Sequence, residues 1–201
     1  MEEYLKDIRD IKKMMDRSSQ FISLSGLAGI LAGVYALAGA LAAKYIYNLN
    51  RGNYITIESY SFRAIVCIGI AVLVLSVGTA FIMSATKAKK QGESLWDTTS
   101  RRLVANFLIP LGTGGIFALL LIKSHHYGLI APVTLIFYGL ACVNASKYTL
   151  RDIRYLGITV ILIGLAATYA IGYGLEFWAL GFGVCHILYG TIMYFKYDRK
   201  Q

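Results

Sequence analysis

Apolar residues along this chain gather into six blocks, each about 20 residues long and nearly free of charge. They run approximately over 21–43, 64–85, 103–122, 129–146, 154–173 and 177–195. A helix needs about 20 apolar residues to cross the hydrocarbon core of a bilayer. The pattern predicts an all-α fold, an integral membrane bundle of six transmembrane helices with no separate soluble domain. Ahead of the first block, residues 1–20 are charged, with Tyr4, Leu5, Ile8, Ile11 and Met15 recurring at helical spacing. That spacing predicts an amphipathic helix. The apolar run after it is too long for the core of a secretory signal. Residues 196–201 form a short polar tail.

Composition agrees with the pattern. Of the 201 residues, 57% are hydrophobic and only 15% charged. A soluble domain carries about 25% charged residues. Lys and Arg are placed unequally. Sixteen of the 20 lie on one side of the six-span topology and four (Lys44, Arg51, Arg63, Lys123) on the other. The positive-inside rule then puts both termini in the cytoplasm, and an even number of spans agrees. This loop asymmetry explains the net charge of +9 without direct nucleic-acid binding. The three cysteines lie in apolar blocks and imply no disulfide framework. Tyr45, Tyr47, Tyr54, Tyr60, Trp96, Trp178, Tyr194 and Tyr197 fall near expected interfaces, where amphipathic rings are favoured.

The polar positions inside the spans are the candidate functional residues. His186 lies near mid-span in GFGVCHILYG, with no Asp, Glu, Lys or Arg from Phe177 to Phe195. Polar groups are costly there. Its own face carries Phe182, Gly183, Tyr189 and Gly190, so it should meet another helix. Folding spans five and six about their turn places Gly164 opposite. Tyr138, Tyr169, Thr168, Ser76 and Thr79 are candidate partners. Asn106 precedes Pro110 by four residues, so the missing amide of Pro110 leaves the carbonyl of residue 106 without its helical partner. Folding spans three and four about their loop puts Asn144 at the same depth as Asn106. Two readings stand for each group: hydrogen bonds that fix helices, or a ligand-binding set of His186, Asn106, Asn144, Tyr138 and Tyr189.

Other features are weaker. Ser25, Gly29, Gly33 and Ala36 or Gly39 line one face of the first span, as a central packing helix or a homo-oligomer face. Ser124-His125-His126 would need further ligands, such as Glu176 or Glu58, to hold a metal; solvated loop residues are the simpler reading. Glu176 begins the sixth span, where a negative charge complements the helix dipole. The chain has no HExxH, GxSxG or P-loop and no paired intramembrane acids, so the familiar hydrolytic devices lack their parts. No cofactor and no metal is called for, and a bilayer haem would want a second deep histidine.

The stretches FISLSGLAGILAGVYALAGA, YGLIAPVTLIFYGLACVNASKYTLRDIRYLG and FWALGFGVCHILYGTIMY resemble a family of small six-span bacterial inner-membrane proteins without assigned function. The resemblance covers nearly the whole chain and implies the same six-span fold in a bacterial inner membrane. It transfers no site residue. Three functions compete. The first is a non-enzymatic sensor or partner protein, acting on a cytoplasmic protein through residues 1–20 and 86–102. The second is a small permease or lipid-handling protein, perhaps dimeric, built on Asn106, Asn144 and His186. The third, least supported, is an intramembrane enzyme using His186 with a tyrosine.

Overall fold

A computed structural model of the chain describes residues 24–49, 59–91 and 96–199. The expected amphipathic helix at 1–20, Glu58 and the middle of the 86–102 segment lie outside the described residues. The fold is all-α, with six helices long and apolar enough to cross a membrane. They are α1 (Gly26–Leu49), α2 (Tyr60–Gln91), α3 (Thr98–Lys123), α4 (Ile130–Ala145), α5 (Asp152–Tyr169) and α6 (Gly174–Asp198). A short 3-10 turn, Tyr127–Leu129, leads into α4. The helices alternate in direction, so Gly26, Gln91, Thr98, Ala145, Asp152 and Asp198 share one end. Most of the described Lys and Arg residues gather there, and it is called the basic end below.

Several helices outrun the apolar blocks. The structure carries α2 through Lys87, Lys89 and Lys90, and α3 begins before Arg101 and Arg102. Charge ends a hydrophobic block without ending a helix, because Lys and Arg are good helix formers. α3 starts instead at a cap: the Asp97 carboxylate accepts the Ser100 amide at 2.6 Å. That bond holds the Asp97 carboxyl below the usual carboxylate range.

Glycine decides which helices touch. α4 and α5 cross at Gly139 and Gly157, where an added Cβ on either would lie 2.6 Å from the other's carbonyl oxygen. α1 and α6 cross similarly: a Cβ on Gly190 would lie 2.6 Å from the Ile30 amide, and one on Gly33 would lie 2.6 Å from the Gly183 carbonyl. Small residues let membrane helices approach backbone to backbone. The small-residue face of the first span is therefore taken up inside the chain, against α6 at Gly29 and Gly33 and against α2 at Gly39. The core lies between α4, α5 and α6 around Leu135, Leu156, Val160, Ala167 and Cys185. α2 rests chiefly on α1 and α3 on α4, and no residue in the most apolar stretch of α2 is buried.

Candidate functional site

His186 is buried, with 8% of its surface exposed. The turns before it, Ala179–Val184, are widened, so the Cys185 amide reaches back five residues to the Leu180 carbonyl. In the same stretch the His186 Nδ1 lies 3.0 Å from the Gly181 carbonyl oxygen. A carbonyl only accepts, so Nδ1 carries the hydrogen and donates. In a neutral ring Nε2 is then an acceptor. It lies 2.7 Å from Tyr138 Oη, so the tyrosine donates. Both ring nitrogens and the phenol are satisfied within the bundle. Phe182 stacks near both rings, with centroids 5.0 Å from Tyr138 and 6.0 Å from His186. Phe107 approaches Tyr138 edge-on at 6.0 Å, and Trp178 closes the cluster against Phe182 at 4.9 Å.

Gly164 does not face His186. It packs against Leu135 and Ile136 of α4. The turn between α5 and α6 was expected to set that pairing, but the Gly139–Gly157 crossing rotates α5 toward α4 instead. Of the other expected partners of His186, Tyr169 is 95% exposed. Thr168 bonds back to the Gly164 carbonyl and Thr79 reaches Tyr35 at 3.4 Å. Tyr189 stands apart too, with its hydroxyl 3.3 Å from Thr159 Oγ1.

Asn106 and Asn144 do meet, through an atom set free by a proline. Asn144 Nδ2 donates to the Asn106 carbonyl oxygen at 2.9 Å, the carbonyl that Pro110 cannot serve. The Asn106 side chain turns away and donates to the Arg102 carbonyl at 2.8 Å. α3 runs unbroken through Pro110. The five candidate residues thus form three separate arrangements: Tyr138 with His186, Asn106 with Asn144, and Tyr189 with Thr159.

The basic end holds a junction not foreseen from the sequence. Asp198, in the last turn of α6, accepts from the Gly26 amide at 2.9 Å and from Lys87 Nζ at 2.6 Å. Lys87 also donates to the Leu24 carbonyl at 3.2 Å. One carboxylate so joins the start of α1, the end of α2 and the end of α6. Beside it, Asp152 receives Lys196 Nζ at 2.9 Å and the Tyr197 hydroxyl at 2.7 Å, tying α5 to α6. The signal was scarcity. Asp152, Glu176 and Asp198 are the only acids after residue 97, so each has several bases within reach. Glu176 also has a partner, an exposed contact with Lys44 at 3.0 Å.

Two cavities open on the surface formed by the described residues. One, about 510 Å³, lies between α1 and α2 beside Ile46, Tyr60, Arg63 and Cys67. The other, about 320 Å³, lies beside Tyr173, Glu176, Phe177 and Leu180. Neither touches His186, Tyr138, Asn106 or Asn144. His125 takes a positive φ of 60° and hydrogen-bonds Tyr127 at 2.8 Å. Among the described residues no group of three or more His, Cys, Asp or Glu side chains could hold a metal ion. No family model, curated protein or solved structure matches the chain. The fold and its buried polar bonds define a six-helix membrane bundle.

Proposed function

We propose that the chain is a non-enzymatic bacterial inner-membrane protein that couples a change in the bilayer to a protein partner at its cytoplasmic face. Both termini lie in the cytoplasm in this reading, by the distribution of Lys and Arg. The partner meets residues 1–20 and the 86–102 segment. The observation that carries the reading is the Asp198 junction. Residues 1–20 precede, in sequence, Leu24 and Gly26, whose carbonyl and amide are held by Lys87 and Asp198. Force on the N-terminal segment reaches α2 and α6 through two bonds. A change in how α2 lies against lipid reaches the N-terminal segment by the same route. α2 is suited to report on the bilayer because it is covered chiefly by α1.

The permease reading has less support. Its three polar points are engaged in bonds between or within helices, and neither cavity touches them. The test is crosslinking of the full chain in its native membrane, compared with a chain lacking residues 2–17. At least one crosslinked protein should be lost from the shortened chain, and Asp198→Asn should weaken the same crosslink. An unchanged set of crosslinked proteins would overturn the proposal.

A further inference from the structure

Charge at the basic end is unevenly paired. Lys87 faces Asp198 and Lys196 faces Asp152. Lys89 and Lys90 lie in the last turn of α2, where the negative end of the helix dipole suits them. Arg199 lies over the Phe195 ring at 5.7 Å. Five cations remain: Arg101 and Arg102 at the start of α3, and Lys147, Arg151 and Arg154 around the α4–α5 connection. All five are exposed, and none makes an ion pair among the described residues.

These five lie at one end of the bundle, on or beside α3, α4 and α5. The bond from Asn144 to the Asn106 carbonyl ties the first turns of α3 to the last turn of α4. Arg102 lies one turn before Asn106, and Lys147 three residues after Asn144. α4 packs on both α3 and α5, so the starts of those helices flank its end, each within about one helix diameter of roughly 10 Å. Both starts present the positive end of a helix dipole. Four of the five cations stand in or beside those first turns, where the dipole disfavours them. Among the described residues the two nearby acids are already engaged, Asp97 with the Ser100 amide and Asp152 with Lys196 and Tyr197. Among the described residues nothing relieves the repulsion, and an anion would relieve it. The aromatic neighbours point to the anion's source. Trp96 and Tyr155 flank the patch, 64% and 56% exposed. Such rings settle at the level of lipid headgroups.

We propose that this patch binds the headgroups of anionic phospholipids, with phosphodiester oxygens accepting from the arginine guanidinium groups. The proposal goes beyond the coupling function and needs no protein partner. Trp96 is a built-in probe, because Trp178 is the only other tryptophan. The experiment uses the full chain carrying Trp178→Phe in phosphatidylcholine bilayers. A fixed minor fraction of either brominated phosphatidylglycerol or brominated phosphatidylcholine is added, and quenching of Trp96 is read. Phosphatidylglycerol should quench more strongly, with a relative binding constant several-fold above one. That preference should fall stepwise as charges are removed, reaching one in the Arg101→Gln/Arg102→Gln/Arg151→Gln/Arg154→Gln variant. It should survive in the Lys89→Gln/Lys90→Gln control. Inorganic phosphate should leave it intact when compared with chloride at equal ionic strength. Equal quenching by the two lipids in the parent chain would overturn the proposal and leave the patch to a soluble acidic partner. Full preference in the fourfold variant would place the lipid elsewhere. Loss of preference in phosphate alone would make this a site for free phosphate.

Discussion

Replacing Asn144 by Ala should destabilise the bundle, and replacing Pro110 by Ala as well should remove most of that cost. One carbonyl decides the outcome. Pro110 has no N–H, so the Asn106 carbonyl loses the bond that an unbroken helix would give it. Asn144 Nδ2 fills the gap at 2.9 Å. Hydrogen bonds between membrane helices average about 0.6 kcal/mol and reach about 1.7, while a buried polar group left without a partner costs about 1–3 kcal/mol. With Pro110 present, Asn144→Ala loses the bond and orphans the carbonyl, so about 1–2 kcal/mol is expected. In the Pro110→Ala background the restored backbone amide serves the carbonyl. Asn144 then loses only its own contact, about 0.5 kcal/mol. The packing loss at position 144 is the same in both backgrounds and cancels in the cycle. The coupling energy should be about 1 kcal/mol. The assay is equilibrium unfolding in bicelles of the parent, both single variants and the double variant. If Asn144→Ala cost the same in both backgrounds, the carbonyl would not depend on Asn144 and the reasoning would fail.

Four further outcomes follow from the same geometry. Gly190→Ala should cost about 1–3 kcal/mol by overpacking, because its Cβ would meet the backbone of Gly26 and Ile30. Gly78→Ala, with nothing within 4 Å, should be neutral or gain up to about 1 kcal/mol from helix propensity; both are read by thermal unfolding in detergent. Exchanging the partners as Lys87→Asp with Asp198→Lys should not restore the stability lost by either single change, because a lysine at 198 cannot accept the Gly26 amide; unfolding of the three variants checks this, and full restoration would mean that the ion pair alone matters. The Asp97 carboxyl is held below its usual range by the Ser100 amide, so its contribution is fully present above the unfolded value near 4 and is lost as pH falls through the lower folded value. Asp97→Ala should cost about 1 kcal/mol at neutral pH, and the gap to the parent should narrow below about pH 4, followed by Trp96 fluorescence.

The six helices could be read from the chain because lipid imposes a single rule. Backbone groups must be satisfied within the span, so about 20 apolar residues define a helix whatever surrounds it. The ends were less legible, since Lys89 and Arg101 look like loop by charge and are helical by propensity. The shared depth of Asn106 and Asn144 followed from counting residues around a short loop. That the Asn144 amide would find the carbonyl rather than the other amide did not, because sequence places a residue along a helix and leaves its rotation about the axis open.

The same gap explains His186. Its depth was plain from the sequence, and its setting between small residues pointed to a helix crossing. The identity of that crossing depended on glycines elsewhere. Gly139 and Gly157 bring α5 onto α4, Gly190 and Gly183 bring α6 onto α1, and what remains opposite His186 is Tyr138. The widened turns from Ala179 to Val184 then leave the Gly181 carbonyl where the imidazole can take it. That contact fixes the tautomer and makes Tyr138 the donor. The histidine is thus specified at both nitrogens by groups it is needed to satisfy. A variant that keeps only one of the two contacts has to leave the other polar atom unpaired in the bundle. Tyr138→Phe, which leaves only Nε2 without its donor, should therefore be milder in equilibrium unfolding than His186→Ala, which removes the ring from between Tyr138, Phe182 and the Gly181 carbonyl.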